Sequence, residues 1–377
     1  MDFTLSRQHE MLRDMVREFA EKEASPQVLE IEEKAEFPHH LTKRMAELGL
    51  VGIFVPKAYG GGEMDHLARL ISLEELSRVY SALGLILEGT QGAMYALLNE
   101  GTEEQRRKYL PPLCRAEKLS CFAVTEPSGG SDLAAMQSLA TAQDDYYVLN
   151  GRKVFISLSA VADYLLVVTR SPNNYDAFLM ERGTPGLEAE RRENFLAERC
   201  LPVGEIVMTD CRVPKANLVG KEGSGLRTAM ACVTVIVRAG LAAISLGLAR
   251  GAYEGALKFA KERILYGKPI AELQAIQFKL ADMEVAIDAA RHLTYHAGWL
   301  IDQGKSSREL TTPIAKAKLF ATDVATRVSL AGTQILGGYG LALEHNMINR
   351  LNEALAMVPG GGTSDILRVI IGREIIR

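Results

Sequence analysis

The chain has 377 residues, 47% of them apolar and 24% charged, an ordinary composition for a soluble globular protein long enough for two or three domains. Its 43 basic and 47 acidic residues leave a net charge of −4, without the basic excess that marks a nucleic-acid binder. The five cysteines (Cys114, Cys121, Cys200, Cys211 and Cys232) form no CxxC pair, which argues against a zinc site and for a reducing, cytoplasmic setting.

The N-terminal stretch MDFTLSRQHEMLRDMV is charged and lacks the apolar run of a signal peptide. Met11, Leu12, Met15, Val16 and Phe19 fall on one face of an amphipathic helix, and Pro26 and Pro38 punctuate the residues after it. AYGGGEMD at 58–65 is a glycine-rich loop without the GxGxxG order of a dinucleotide fingerprint. LARLISLEELSRVY then resumes the helical period, so residues 1–118 read as a helical domain.

Between 119 and 222 the texture changes. CFAVTE, YYVLNGRKVFISL, DYLLVVTR, DAFLME and EIVMTDCRV are short and rich in β-formers, which predicts an antiparallel β domain. Asn150-Gly151 inside the second segment is a two-residue hairpin signal.

From 223 to 377 the pattern predicts a helical bundle with helices over 223–250, 251–265, 272–303, 311–336 and 363–377, broken at Gly267-Lys268-Pro269 and at Gly337-Gly338-Tyr339-Gly340. TAMACVTVIVRAGLAAISLGLA at 228–249 has the length of a membrane span. Arg238 at its centre and its many small residues predict a buried bundle helix instead. Near the C-terminus, VPGGGTSDILR runs three glycines into a helix start, with Thr363 or Ser364 as the cap.

Four motifs occur in order along this α, β, helical-bundle chain: GTEEQRRKYLPPL at 101–113, AVTEPSGGSD at 123–132, ERILYGKPIAELQAIQFKLADM at 262–283 and QILGGYG at 334–340. Together they resemble the acyl-CoA dehydrogenase family over essentially the whole chain. The resemblance implies an α+β multi-domain fold with an N-terminal helical domain, a middle β domain and a C-terminal four-helix bundle. It implies a homotetramer or homodimer that binds FAD between subunits and oxidises an acyl thioester of CoA or of an acyl carrier protein. An electron-transfer flavoprotein or another acceptor would take the electrons.

By the same resemblance Phe122, Val124 and Thr125 line the flavin ring, and Gly130 and Ser131 form the turn that meets cofactor and thioester arm. Phe155 stands where the family usually has Trp beside the flavin, with core packing as its plainer alternative. Ser157 matches a Thr near N5. Arg263 and Tyr266 match residues that reach a neighbouring subunit's FAD; a surface ion pair of Arg263 with Glu262 or Asp282 is the alternative. Gln274, Gln334 and Gly338 match further cofactor contacts, and Thr363 and Asp365 match the polar pair opening the last helix. Arg238 matches a substrate-side arginine.

The departures are chemical. Where the family usually reads Tyr-Glu-Gly-Thr this chain has Gly360-Gly361-Gly362-Thr363, so the proton-abstracting glutamate falls on Gly361. The other family location for that base falls on Val237, and an aspartate that usually touches the pantetheine arm falls on Val235. Glu88, in LILEGTQGAM, matches the far end of the acyl cavity and is the candidate base; a carboxyl bonded inside a helical layer is the alternative. A wider pocket for a flavin oxidase or monooxygenase reaction, or a flavin-binding subunit without dehydrogenation, would also account for the glycines. Asp365 and His345 lie nearby in sequence.

Overall fold

The computed structural model describes residues 4–172 and 174–376. The first helices are α1 (Arg7–Phe19), α2 (Val28–Lys34), α3 (His39–Glu47), α4 (His66–Val79), α5 (Ser81–Glu100) and α6 (Glu103–Cys114). Local chemistry starts them: the Ser6 hydroxyl accepts from His9 N, and Thr102 and Gln105 form a reciprocal capping box on α6. Helices α4 and α5 are buried on nearly all sides, which places them at the centre of the molecule.

The middle region is one seven-stranded sheet of β1 (Ser120–Ala123), β2 (Leu139–Ala142), β3 (Tyr146–Ser157), β4 (Tyr164–Ser171), β5 (Asn174–Glu181), β6 (Leu187–Arg192) and β7 (Val203–Pro214). Most pairings are antiparallel, but β1 runs parallel to β4, and β2 meets β4 in parallel at Leu139 and Arg170. The expected hairpin at Asn150-Gly151 does not form. Strand β3 runs through it, and Gly151 sits at a bulge where the register with β7 steps from Leu149↔Cys211 to Gly151↔Met208. A Cβ there would lie 2.1 Å from Ser138 Oγ, and the Asn150 side chain is engaged in accepting from Asp210 N at 2.8 Å. The same dipeptide serves a bulge as readily as a turn once partner strands cover both edges.

The C-terminal bundle begins with α7 (Gly225–Cys232), a wide π turn over Val233–Arg238, and α8 (Ala239–Glu262), all on one axis. The break expected near 250 is absent. Gly251 lies within α8 because a Cβ would fall 2.1 Å from the Arg78 carbonyl oxygen; the glycine serves close packing and ends nothing. This helix has the length and hydropathy of a membrane span, yet it is mostly buried inside the protein, as Arg238 and the small residues predicted. A short ribbon, β8 (Ile264–Leu265) with β9 (Lys268–Pro269), turns on Tyr266 and Gly267, both at positive φ. The chain continues through α9 (Gln274–Asp302), α10 (Ser307–Leu336), α11 (Met347–Met357) and α12 (Ser364–Ile375). Helix α11 was not expected from the sequence; it packs against α8 and α10, and α12 packs against α10.

The three regions meet over an unusual set of buried carboxyls. Glu32, Glu198 and Glu353 are all nearly inaccessible; Tyr80 donates to Glu32, and Ser81 Oγ donates to Glu198 at 2.6 Å. Burial pushes Glu353 up to about 7, with Arg350 pulling the other way. A carboxyl raised on folding favours the folded state at low pH, and that advantage is lost as pH rises from its unfolded value towards about 7. Glu353→Gln is therefore expected to be near neutral at pH 4 and to stabilise the protein at pH 8, by up to about 3 kcal/mol. Denaturant melts at the two pH values check the sign.

Candidate active site

One wall of the site comes from β1 and β3. Phe122 is half-buried and Val124 is buried, and the backbone of Thr125 is tied to β3 where Val154 N donates to Thr125 O at 3.0 Å. A wholly buried ion pair fixes this junction. Lys153 Nζ donates to Glu126 Oε1 at 2.7 Å and to Val124 O at 3.2 Å, and Glu126 also accepts from Gln137 N and Ser138 N. Desolvation brings Lys153 down to about 8 against the pull of Glu126. Gly130 packs on Thr125, where a Cβ would sit 3.1 Å from the Thr125 methyl, and Ser131 lies next to it on the exposed turn.

Phe155 is not core. It lies 60% exposed at φ 56, next to a register shift between Lys153 and Ile156, so the backbone holds an aromatic ring outward in a strained conformation. Ser157, two residues on, is half-buried.

The second group of expected residues is the triple-glycine loop and the helix segment beneath it. Gly361 and Gly362 have positive φ, 63 and 110. A Cβ on Gly361 would meet Val237 Cγ1 at 3.1 Å, Leu241 Cδ1 at 3.3 Å and Arg238 Cγ at 3.4 Å. Two buried cations pin the loop's carbonyls: Arg238 Nε donates to Gly361 O at 2.7 Å, and Lys318 Nζ donates to Val358 O at 2.7 Å and Gly362 O at 3.1 Å. Burial, reinforced by the charge of Arg238, lowers Lys318 to about 8. Thr363 is the cap of α12, accepting from Ile366 N at 3.3 Å. The guanidinium of Arg238 is thus committed to the loop rather than held free for a ligand.

Glu88 on α5 approaches this helix from the other side. Its neighbours along α5 mark the level: a Cβ on Gly92 would sit 3.3 Å from Phe122 Cβ, and one on Gly89 would sit 3.0 Å from Leu158 Cδ1. A Cβ on Gly240 would lie 3.0 Å from Glu88 Cγ and 2.9 Å from Arg69 Nη2. Arg69, from α4, is fully buried. It donates through Nε to Gln91 Oε1 at 2.8 Å and through Nη2 to Ile236 O at 2.6 Å, with Nη1 3.4 Å from Val235 O. The wide π turn loosens the ordinary helical ladder at these carbonyls, and the buried guanidinium takes them up. Glu88 itself is only 8% exposed and has no hydrogen-bond partner among the described residues. Burial raises it to about 7 although Arg69 pulls it down. The expected alternative, a carboxyl bonded within a helical layer, is therefore not what forms.

The remaining expected residues gather at a different end of the bundle. Arg263 comes directly after α8 with its guanidinium 5.6 Å from the Tyr339 ring centroid, and it makes no ion pair with Glu262 or Asp282. Tyr266 projects from the β8–β9 turn at 89% exposure. Gln274 opens α9, Gln334 accepts from Lys279 Nζ at 2.9 Å, and Gly338 is exposed with no atom within 4 Å of a Cβ built on it. Among the described residues no hydrogen bond, ion pair or ring contact joins this group to the β1–β3 wall of the same chain. His345 stacks edge-on against Tyr339, centroids 5.3 Å apart, and Asp365 pairs with Arg368 in solvent, so neither supplies a carboxylate or imidazole over Gly361.

The domain profiles of acyl-CoA dehydrogenases match this chain in sequence order: the N-terminal domain at 6–117, the middle domain at 121–211 and the C-terminal domain at 223–376. The chain belongs to the acyl-CoA dehydrogenase family. It is similar to the short-chain specific acyl-CoA dehydrogenase of Clostridium acetobutylicum, 38% identical with both chains covered in full. It is similar, with a TM-score of 0.96 and 37% identity over all of both chains, to a chain in the solved structure of the electron transferring flavoprotein of Acidaminococcus fermentans, a study of flavin-based electron bifurcation. A glutaryl-CoA dehydrogenase from Mycobacterium smegmatis in complex with FADH2 superimposes at a TM-score of 0.93, with 26% identity over 98% of this chain and 95% of that one.

Three residues of this acyl-CoA dehydrogenase family member escaped sequence reasoning: Arg69, Lys153 and Lys318. Each is a cation at a position that the local period assigns to the interior, in HLARLISL, GRKVFISL and IAKAKLF. That mismatch is the signal that could have found them.

Proposed function

We propose that the chain is an FAD-dependent oxidoreductase that acts on an acyl thioester of CoA or of an acyl carrier protein, with Glu88 as its acid–base group. The observation that carries this reading is the pairing of two positions that cannot accept a proton with one unpartnered acid: Gly361 and Val237 offer no acceptor, while the buried Glu88 carboxyl meets, at Gly240, the helix that carries Val237. Bound FAD would supply the hydride acceptor.

The chain's residues fit that cofactor. Phe155 presents a ring outward beside Thr125 and Ser157 as a wall for a flat heteroaromatic, and Lys153 and Glu126 hold that wall rigid. Gly361 leaves the loop bare, and Arg238 and Lys318 keep its carbonyls turned inward. Arg263, Tyr266, Gln274, Gln334 and Gly338 form an exposed group suited to the phosphate and nucleoside parts of an FAD held by a second subunit. An exposed apolar stripe on α9, Phe278, Val285 and Trp299 at spacings that are multiples of seven, suits assembly as a homodimer or homotetramer. The similarity to a chain solved with an electron transferring flavoprotein supports that class of acceptor. Five free, buried cysteines suit a reducing cytoplasm.

Purified protein is expected to be yellow and to release FAD on acid treatment. An anaerobic panel of acyl-CoAs should bleach the flavin; a protein that is colourless or never bleached overturns the reading. Rapid reoxidation by air would move it to an oxidase on the same fold. Arg263→Ala is expected to weaken FAD binding by about 10- to 100-fold, the worth of a charge-assisted contact, with the melting of the flavin-free protein unchanged. Flavin content after dialysis reads this directly.

A further inference from the structure

Resting on the acyl-thioester reading, we infer that Glu88 selects an acyl chain that carries a hydroxyl group. The inference starts from the state of the carboxyl. It is more than nine-tenths buried, no described residue donates to it, and Gly240 closes on its Cγ side. Its neighbours Gly89 and Gly92 face Leu158 and Phe122, so α5 carries the carboxyl at the level of the β1–β3 wall, while Gly240, within one turn of the Val237 and Leu241 that meet Gly361, closes on it from α8. A saturated hydrocarbon tail seated there would take away what water remains around the carboxyl and return no hydrogen bond, an outcome physically unfavourable for a buried polar group.

The charges around the site decide which polar group fits. A carboxylate on the acyl chain would face Glu88 itself. An ammonium would be drawn to Glu88 but would enter the field of two buried guanidinium groups, Arg69 and Arg238, both already committed to backbone carbonyls, and would itself lose its hydration there. Arg69 has no exposed surface and cannot turn to greet an anion. A neutral donor meets neither repulsion, and a hydroxyl is the smallest such donor: its O–H points at a Glu88 oxygen, and its own lone pairs remain for the carboxyl in its protonated form. Val235 and Val237 offer no polar side-chain atom, and Arg238 between them and the loop is turned to Gly361 O and Thr234, so Glu88 is the carboxyl that this helix segment meets.

The test uses the FAD-loaded protein and S-alkyl-CoA thioethers, which lack the acidifying carbonyl and report binding without turnover. Calorimetric titration with matched pairs, one bearing a hydroxyl on the second, third or fourth carbon and one without, reads the preference. The wild type is expected to bind at least one hydroxylated member about tenfold tighter than its plain partner. Glu88→Gln, which keeps an acceptor oxygen, should retain a preference, and Glu88→Leu should lose it with flavin content unchanged. Equal binding of every pair by the wild type overturns the inference, as does a preference that survives in Glu88→Leu. If Glu88→Leu does not retain flavin, the wild-type pairs still decide. Failure of every thioether to bind strikes the CoA-thioester reading itself, so the two failures are separable.

Discussion

Glu88→Gln is expected to slow flavin reduction by an acyl thioester by about 10²–10⁴, the usual worth of a general base, while FAD stays bound. Gln matches Glu in shape, so the packing against Gly240 survives and the proton acceptor is lost. The pH dependence supplies a second readout. A base works in its ionised form, so the rate in the wild type should climb as pH rises through about 7, where burial places the Glu88 carboxyl. Arg69 holds that value down. Arg69→Met should therefore move the rising limb to higher pH without touching the reacting atoms. Stopped-flow bleaching between pH 5 and 9 checks both variants. An unchanged rate in Glu88→Gln would remove this residue from the chemistry and leave the glycine loop unexplained.

Gly361→Glu tests the missing carboxylate from the other direction. The variant returns an acid to the position from which the family's base acts by resemblance, and it should raise dehydrogenation of plain saturated acyl-CoAs by at least about 10²-fold. The substitution carries strain. Gly361 sits at φ 63, where a side chain costs on the order of 1–2 kcal/mol, and the new Cβ would press on Val237 Cγ1 at 3.1 Å. Adding Val237→Ala removes that methyl and should recover part of the lost stability while keeping the gained rate. Melting curves and single-turnover bleaching of the single and double variants give both numbers. A well-folded Gly361→Glu with no gain would mean that the substrate does not present its α-carbon to this loop.

Features could be read from the sequence in proportion to how local they are. Thr363 and Ser364 could both be named as caps because capping needs a hydroxyl and the three residues after it, and the structure gives the role to Thr363, with Ser364 the first residue of α12. Arg238 marked the apolar 228–249 segment as interior to a protein, and the helix is buried. Asn150-Gly151 misled because a hairpin and a bulge use the same backbone freedom, and only the neighbouring strands β2 and β7 choose between them. Gly251 misled in a similar way: helix breaking and close packing both favour glycine, and the Arg78 carbonyl against it belongs to a distant part of the chain. Helix α11 went unread because the glycines on either side hid an eleven-residue amphipathic run.

The sequence by itself determined the layer order and the family, and it puts glycine at 361 and valine at 237, since residue identity needs no coordinates. Only the tertiary structure decided that Phe155 is turned outward, that Arg69 and Lys318 serve backbone carbonyls, and that Glu88 is buried without a partner among the described residues. The first follows from the register shift of β3 on β7, and the others from which groups of α4, α5, α10 and the segment leading into α8 come within about 3 Å of one another, the reach of a hydrogen bond. Hydrogen bonding and desolvation act across that distance whatever the separation along the chain, so no local pattern records them.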